Sequence, residues 1–336
     1  MGNDIRAIVV NSGNANACTG AQGARDAQSM LDTLAACANL TSHSCLVSST
    51  GIIGRTMPID QINTAIPKAF AGLQENACIE FAEAILTTDT KVKTIGLSLH
   101  TSLGVIKMGG CSKGAGMIHP NMATMLAYVT SDIELDSNFE SEFRAIIDDS
   151  FNSITVDGDT STNDTCIFMA NAASKISYAD LSLAEQSAFR QALFDLFAYL
   201  AKEIVKDGEG ATKFVSLKVE EAKNKTYARN LGRYVANSKL VKTAFFGQDP
   251  NWGRLIASIG AFDEFVEINK VCIYLDYYPV LFQGEPAATD LALLEQVMKK
   301  PEFEIRITLG DGNSNAEIWT CDLSYEYVKI NAEYTT

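Results

Sequence analysis

The spacing of apolar and polar residues changes along the chain, and each change predicts an element. Val215, Leu217 and Val219 alternate with polar residues, which predicts a half-buried strand. Residues 183–208 repeat apolar positions at helical spacing and end at Gly208, which predicts the longest helix of the chain. Residues 7–10 form a short apolar run before a loop rich in glycine and asparagine, and we expect a buried strand there.

Other stretches predict further helices and strands. Helical spacing recurs over 24–40 and over 59–86, and Pro67 predicts a break in the second of these regions. Residues 94–110 read as a hairpin, and residues 303–323 as two strands around a turn of glycine, asparagine and aspartate. Helices and strands therefore alternate irregularly.

This irregular order favours an α/β protein of α+β layers over a doubly wound sheet. No GxGxxG motif follows a strand, and no GxxxxGK[ST] motif occurs. The chain has no internal repeat and no linker of low complexity. Its 336 residues are enough for one large domain or two ordinary ones.

Composition narrows the possible partners. Hydrophobic residues make up 47% of the chain and charged residues 20%, as in ordinary globular enzymes. The net charge of −14 argues against binding to nucleic acid or to an anionic membrane surface. No apolar run reaches the roughly 18 residues of a membrane span, and the first residues do not resemble a secretory signal. We expect a cytoplasmic protein.

Eight cysteines are scattered along the chain without a CxxC pair or a histidine at metal spacing. Reduced thiols in a cytosolic protein explain this pattern. The three histidines are far apart. We therefore expect no metal and no bound cofactor.

Several segments combine small residues, chain breakers and polar side chains beside apolar strands. Each alone would be a surface loop, but together they predict loops that converge on one site. These segments are 11–20, 48–54, 87–90, 111–117, 155–164, 206–213, 247–254 and 329–336.

A search for a nucleophile leaves hydroxyl groups. No GxSxG motif occurs, no cysteine has a suggestive partner, and His119 before Pro120 fits a turn better than a general base. Three hydroxyls lie near glycines, and they are those of Ser12, Thr50 and Thr124.

Thr124 lies within KGAGMIHPNMATML, residues 113–126, between chain breakers and an apolar run. A threonine hydroxyl becomes a good nucleophile when its residue is the first of a chain, because its own α-amine then acts as base. A strained turn would favour attack of Thr124 Oγ on the Ala123 carbonyl. The resulting ester would be hydrolysed, and the chain would be cut before Thr124.

The segment 113–132 resembles the cleavage segment of the arginine-biosynthesis glutamate N-acetyltransferases, also called ornithine acetyltransferases. The resemblance covers essentially the whole chain, with matching motifs in the same order. These motifs are 9–20, 49–54, 84–90, 151–164, 207–213, 235–254 and 327–336.

The resemblance implies a layered fold similar to N-terminal-nucleophile enzymes and related to a self-processing aminopeptidase group. It implies cleavage into an α chain, 1–123, and a β chain, 124–336, assembled as α2β2. The implied reaction is ping-pong transfer of acetyl from N2-acetylornithine to glutamate through an acetyl ester on Thr124. Acetyl-CoA is a further donor in some members.

Site residues are carried over from the family by matching positions. Thr50 and Gly51 would stabilise the oxyanion, and Ala123–Thr124 would be the bond that is cut. Lys113 would pair with a substrate carboxylate and Glu209 with the ornithine ammonium. Further substrate contacts are implied for Thr87, Thr124, Asn331 and Thr336.

Two motifs have no catalytic role that the residues reveal. In GQDPNWGR, residues 247–254, we expect a rigid turn with a structural Arg254. The spacing of Asp157 and Asp159 resembles the start of a calcium loop, but no glutamate follows at the twelfth position. We expect Asn163 and Asp164 to bond backbone near Thr124.

Two alternatives remain open. A threonine-nucleophile amidohydrolase or aminopeptidase would use water as the acceptor. The other alternative is a binding or structural protein that does not cleave itself. Family members carry about 60 residues before the start of this chain, and without them the neighbouring strands would have an unpaired edge.

Overall fold

Two β-sheets lie on either side of a long central helix, α5 (Leu183–Lys206). The computed structural model describes residues 4–119, 125–136, 139–262 and 265–333. The other helices are α1 (Gly20–Ala38), α2 (Ile59–Ala71), α3 (Cys78–Ala84), α4 (Phe139–Asp149), α6 (Lys225–Ala236), α7 (Lys239–Phe246), α8 (Trp252–Gly260), α9 (Leu291–Lys299) and α10 (Tyr325–Glu333).

The strands form three groups. A parallel pair consists of β1 (Ala7–Asn11) and β2 (Cys45–Ser49). A four-stranded sheet contains, in spatial order, β3 (Lys93–Thr101), β4 (Gly104–Lys113), β5 (Leu126–Ser131) and β7 (Thr165–Ala170). A seven-stranded sheet contains β11 (Glu285–Pro286), β10 (Tyr278–Phe282), β9 (Cys272–Leu275), β12 (Glu302–Thr308), β8 (Phe214–Ala222), β13 (Ser314–Cys321) and β6 (Ile154–Thr155).

In the four-stranded sheet, the predicted hairpin over 94–110 is confirmed as β3 and β4, which pair antiparallel. β5 then runs antiparallel to β4, with Lys113 opposite Leu126. The last residue of β4 and the first of β5 are thus neighbours across the sheet. The connection that contains the Ala123–Thr124 bond leaves and re-enters the sheet at one place.

In the seven-stranded sheet, β12 and β13 are the two strands expected over 303–323, but they are not paired with each other. β8 lies between them, parallel to β12 and antiparallel to β13. On β8 the predicted alternation is confirmed, because Val215, Leu217 and Val219 are fully buried while Ser216 and Lys218 are half-buried. α6 covers this buried face.

The central helix α5 is well specified at both its start and its sides. Ser182 accepts a hydrogen bond from the Glu185 N–H, and the Glu185 carboxylate accepts one from the Ser182 N–H, which forms a capping box. Phe189, Leu196 and Ile204 are completely buried, because both sheets contact the helix. Burial of each such side chain contributes roughly 1.5–3 kcal/mol.

The break expected at Pro67 is wrong. α2 continues through Pro67 to Ala71, and a second helix, α3, follows at Cys78. Proline removes one backbone hydrogen bond near the end of the helix. α2 packs along α1 and buries Ile66, and this contact outweighs the lost bond.

The α/β class with helix and sheet layers is confirmed. Among the described residues, no helix combines the length and the apolar character needed to cross a membrane. All eight cysteines are free thiols, and Cys18 and Cys78 are exposed.

Candidate active site

A cavity of about 330 Å³ opens where loops from several layers meet. Its walls come from the loops after β1 and β2, from the end of β4 and the start of β5, and from the loop that leads from α5 to β8. The loop after β6 and one side of α10 complete it. The convergence that the sequence predicts is therefore observed for seven of the eight segments, whereas 247–254 lines a separate cleft.

Six of the nine predicted site residues line this cavity. They are Thr50, Gly51, Thr87, Lys113, Glu209 and Asn331. The other three, Ala123, Thr124 and Thr336, lie outside the described residues. Met125, which directly follows Thr124 in the chain, also lines the cavity.

Lys113 organises one side of the cavity. It is the last residue of β4 and is only 8% exposed. Its ammonium donates to Thr87 Oγ1 at 2.7 Å and to Thr50 Oγ1 at 3.1 Å. Since Thr50 Oγ1 accepts this hydrogen bond, its own proton remains available for a group in the cavity.

Gly51 follows Thr50 in a conformation that requires glycine. Its φ is +125°, and a Cβ atom there would lie 2.3 Å from the carbonyl carbon of Gly13. On either side, the Thr50 N–H bonds to the Asn11 carbonyl, and the Ile52 N–H to the Gly13 carbonyl. The backbone at Thr50 and Gly51 is therefore held tightly against the loop after β1.

Glu209 closes the opposite side. Its N–H donates to the Ala115 carbonyl at 2.8 Å, and Asn331 Nδ2 donates to its carboxylate at 2.8 Å. A Cβ atom at Gly116 would lie 2.4 Å from Glu209 Oε2, so this glycine admits the carboxylate. Asn331, near the end of α10, is thereby joined to the loop that follows Lys113.

Sequence reasoning missed Asp89, which fixes the start of that loop. Asp89 Oδ1 accepts from the Gly114 N–H at 2.6 Å and from Lys93 Nζ at 2.6 Å. Lys93 also donates to Asp207 at 2.5 Å, and both side chains are almost completely buried. The only sequence signal was an acidic residue between threonines, followed by a lysine in an apolar strand pattern.

The charges around Lys113 act on one another. Burial lowers the pKa of Lys113, and Asp89 is the largest influence that opposes this. Burial alone would raise the pKa of Asp89, but Lys93, Lys113 and the Gly114 N–H together bring it below its ordinary value. Asp89 therefore stays ionised and supports the ammonium form of Lys113.

Asp157 holds the other part of the same loop. Its carboxylate accepts from the Met117 N–H at 2.7 Å and the Ile118 N–H at 2.9 Å. Burial raises the pKa of Asp157, although these N–H groups act against the shift. The aspartate that resembled the start of a calcium loop thus binds backbone, and the described residues contain no cluster of possible metal ligands.

One expectation about nearby polar residues comes out differently. The Asn163 side chain donates to the Ser49 hydroxyl at 3.0 Å, where a backbone partner was expected. Asp164 lines the cavity and raises the pKa of Lys113. The expected position beside Thr124 concerns a residue outside the described part.

His119 faces away from this cavity. Its Nδ1 lies 3.1 Å from Thr155 Oγ1 and 3.1 Å from Asn237 Nδ2, and it lines a separate cleft. Burial and the neighbouring Arg233 lower the pKa of His119 to about 4, so its ring is neutral near pH 7. This placement agrees with a loop residue and gives no support for a general base.

The cavity has an acidic character. Among its described lining residues, Lys113 is the single lysine or arginine, whereas the carboxylates are those of Asp157, Asp159, Asp164 and Glu209. Such a lining suits a small substrate that carries a carboxylate for Lys113 and an ammonium group for the acidic side. Thr50 and Gly51 stand on its wall as possible donors to an oxyanion.

The family model of the ArgJ family matches residues 1–336, the full length of the chain. The chain belongs to the ArgJ family. The family predicted from the sequence motifs is thereby confirmed.

Curated ArgJ proteins resemble the chain over nearly all of its length. The Arginine biosynthesis bifunctional protein ArgJ of Methylococcus capsulatus is 44% identical over 98% of this chain and 82% of its own. The ArgJ protein of Geobacter sulfurreducens is 45% identical over 98% of this chain and 85% of its own. A crystal structure of ArgJ from Bacillus halodurans has a TM-score of 0.59 at 36% identity, covering 63% of this chain and 100% of that one.

Proposed function

We propose that the chain transfers an acetyl group from N2-acetylornithine to glutamate by way of an acetyl ester on Thr124. Membership of the ArgJ family makes it an acetyltransferase of arginine biosynthesis. The residue-level mechanism is our proposal. The observation that carries it is the meeting of Thr50, Gly51, Lys113 and Glu209 in one cavity that Met125, the neighbour of Thr124, also lines.

The first step is cleavage of the chain itself. Thr124 Oγ attacks the Ala123 carbonyl, the peptide C–N bond breaks, and an ester joins the two parts. Breaking the C–N bond frees the α-amine of Thr124, and water then hydrolyses the ester to give the Thr124 hydroxyl and the carboxylate of Ala123. That amine is then the base that accepts the Thr124 hydroxyl proton.

In the transfer reaction, Thr124 Oγ attacks the acetyl carbonyl of N2-acetylornithine. The Thr50 hydroxyl and the Gly51 N–H donate to the oxyanion of the tetrahedral intermediate. The C–N bond breaks, ornithine leaves with the proton held by the Thr124 amine, and an acetyl ester remains. The amine of glutamate attacks the ester, its proton passes to the Thr124 amine, and Thr124 Oγ leaves as the hydroxyl.

The charged side chains position the two amino acids. Lys113 is placed to pair with a substrate carboxylate, since its buried ammonium faces the cavity beside Thr87 and Thr50. Glu209, held by Asn331, is placed to receive the side-chain ammonium of ornithine. Acetylornithine and glutamate each carry an α-carboxylate, so the same lysine serves both half-reactions.

We also propose that the cut chains stay together. β3 and β4 precede the cut and β5 and β7 follow it, yet all four strands belong to one sheet. The Lys113–Leu126 pairing joins β4 directly to β5. Separation of residues 1–123 from 124–336 would therefore break the sheet open. An α2β2 assembly of these chains in the cytoplasm remains part of the proposal.

Mass spectrometry of the purified protein tests the nucleophile. We expect two chains, with Thr124 as the first residue of the larger one and an added acetyl group on it after incubation with N2-acetylornithine. Thr124→Ala should remain one intact chain. An intact wild-type chain, or a processed one that never carries acetyl, would disprove the mechanism.

A product assay distinguishes transfer from hydrolysis. With N2-acetylornithine and glutamate together, we expect N-acetylglutamate and ornithine in equal amounts. Ornithine release should be slow without glutamate, because the acetyl ester then has no amine acceptor. Rapid release of free acetate without glutamate would instead identify an amidohydrolase.

A further inference from the structure

A second cleft, of about 850 Å³, lies between α6 and α8 and is separate from the cavity described above. The lining residues from α6 are three or four positions apart, so they lie on one face of the helix, and those from α8 are spaced in the same way. They are Asn230, Arg233 and Tyr234 on α6 with Asn237 directly after it, and Arg254, Ala257 and Ser258 on α8 with Ala261 directly after it. The motif GQDPNWGR, which no role explained, forms the start of the α8 wall.

The charge of this cleft is opposite to that of the whole chain. Arg233 and Arg254 line it together with several amides, and its described lining contains no aspartate or glutamate. The chain as a whole has a net charge of −14. Two guanidinium groups gathered in a concave site of such a protein favour a negatively charged ligand.

Two polar side chains of the cleft, Arg254 and Ser258, are suited to receive a ligand. Arg254 Nη1 donates to the Leu240 carbonyl at 2.8 Å and to Thr243 Oγ1 at 3.1 Å, so its planar group has a fixed orientation. Ser258 is more than nine-tenths buried, and its hydroxyl has no hydrogen-bond partner within the described chain. Buried hydroxyls rarely remain in that condition without a ligand or water.

The cleft also borders the segment that follows β4 and lines the catalytic cavity. His119 lines the cleft, while Met117 and Ile118, its immediate predecessors, line the cavity. Asn237 connects both sides, because its side chain bonds to His119 and accepts a hydrogen bond from Thr155 at 2.6 Å. A ligand that contacts Asn237 and His119 would therefore act on the loop that leads to Thr124.

We propose that the cleft between α6 and α8 is a second binding site, for a small ligand that bears a phosphate or carboxylate group, and that it is coupled to the catalytic cavity through His119. Arg233 and Arg254 supply the charge, and the amides and Ser258 supply further donors. The coupling rests on the proposed function of the first cavity, whereas the site itself does not.

Calorimetric titration with inorganic phosphate, and separately with acetate, tests the site at constant ionic strength. Asn230 is exposed and lines the cleft, so Asn230→Asp adds a negative charge there with little change in shape. We expect wild-type protein to bind at least one of the anions and Asn230→Asp to bind it about two- to fivefold more weakly. Arg233→Gln should reduce binding further.

Asn76→Asp, at an exposed position outside the cleft, is the matched control and should bind as the wild type does. Tighter binding of phosphate would assign a phosphorylated ligand, and tighter binding of acetate a carboxylate. If neither anion binds, or if Asn230→Asp and Arg233→Gln both bind as tightly as Asn76→Asp, the site is disproved.

Coupling is tested with ornithine, which would fill the catalytic cavity without reacting. Coupling between two sites is reciprocal, so a ligand bound in the catalytic cavity must change the affinity of the cleft. Saturating ornithine should therefore change the dissociation constant of the bound anion by about fivefold or more. Anion binding that ornithine leaves unchanged, in protein shown to bind ornithine, would overturn the coupling. Failure of ornithine to bind at all would instead count against the proposed function.

Discussion

At the residue scale, the cavity depends on contacts that join predicted residues to ones that no motif marked. Lys113 donates to Thr50 and Thr87, while Asp89 holds the next residue, Gly114, through its backbone N–H. The position of the Lys113 ammonium therefore depends on Asp89 as well as on the strand that carries it. Two single substitutions separate the chemical role of Thr50 from the electrostatic role of Asp89.

Replacement of Thr50 by valine removes one donor to the oxyanion and keeps the shape of the side chain. We expect kcat to fall by about 10²- to 10³-fold, as for other oxyanion donors. Turnover should be measured per mole of free Thr124 amino terminus, so that an effect on the transfer step is separated from any effect on cleavage. Thr56→Val, at an exposed position six residues further along, should keep wild-type turnover. Equal rates for the two variants would exclude Thr50 from the oxyanion site.

Replacement of Asp89 by asparagine should move the alkaline limb of the pH profile. Burial already lowers the pKa of Lys113, and Asp89 opposes this shift most strongly. Without that carboxylate the pKa falls further, so the ammonium form is lost at a lower pH as pH rises. Other charges that act on Lys113 remain in place, and they are those of Lys93, Asp164 and Glu209.

The measurement for Asp89→Asn is the pH dependence of kcat/KM for N2-acetylornithine. Its alkaline limb should lie at lower pH than in the wild type, whereas Asp32→Asn, an exposed change on α1, should leave it in place. An alkaline limb at the wild-type position in folded Asp89→Asn would show that Lys113 does not control it.

At the element scale, β3 carries a buried ion cluster that ties it to the end of α5. Lys93, the first residue of β3, lies between Asp89 and Asp207, and the Thr90 N–H also donates to Asp207. Asp207 lies two residues before Glu209, so the cluster sets how α5 delivers Glu209 to the cavity. Hydrogen bonds and opposite charges compensate the cost of burying these ions only while all three are present.

Lys93→Met should therefore destabilise the protein strongly. The change leaves Asp89 and Asp207 buried without their shared cation, and we expect a loss of about 3–5 kcal/mol in the free energy of unfolding. Urea denaturation measures it. Lys91→Met, which removes a partly exposed ion pair with Glu203, should cost less than about 1 kcal/mol. Similar losses for the two variants would contradict the role given to the cluster.

The local sequence pattern predicted the individual helices and strands better than it predicted which strands pair. Alternation on β8 and helical spacing on α5 depend on which face is buried, and both were read correctly from the sequence. The separation of β12 from β13 was not predicted, because β8, which lies about 90 residues earlier in the chain, inserts between them. Lys93 was missed for the same reason, since its acidic partner Asp207 is distant in sequence.

At the scale of the whole molecule, the segments on both sides of the proposed cleavage point contribute to one sheet and to one cavity. Thr50, Thr87 and Lys113 precede the proposed cleavage point, whereas Glu209 and Asn331 follow it. Long motifs identified these residues through the family resemblance, although Lys113 ends β4 and Asn331 lies on α10. Their distances and partners depend on the packing of all the layers, which no single motif contains.

This arrangement predicts how the processed protein behaves in solution. Under native conditions, residues 1–123 and 124–336 should elute together in size-exclusion chromatography. In strong denaturant they should separate, while Thr124→Ala should elute as one chain in both conditions. Native separation of the two parts would show that the shared sheet does not hold them.

The pairing of Lys113 with Leu126 has a consequence for folding and refolding. Before cleavage, β4 and β5 belong to one polypeptide, so the sheet forms in a unimolecular step at any dilution. After the proposed cleavage, the two strands would belong to separate chains, and recovery from unfolding would then depend on protein concentration. The proposed cleavage would thus create the nucleophile and make the fold harder to regain, so each molecule would have its best opportunity to fold before it is active.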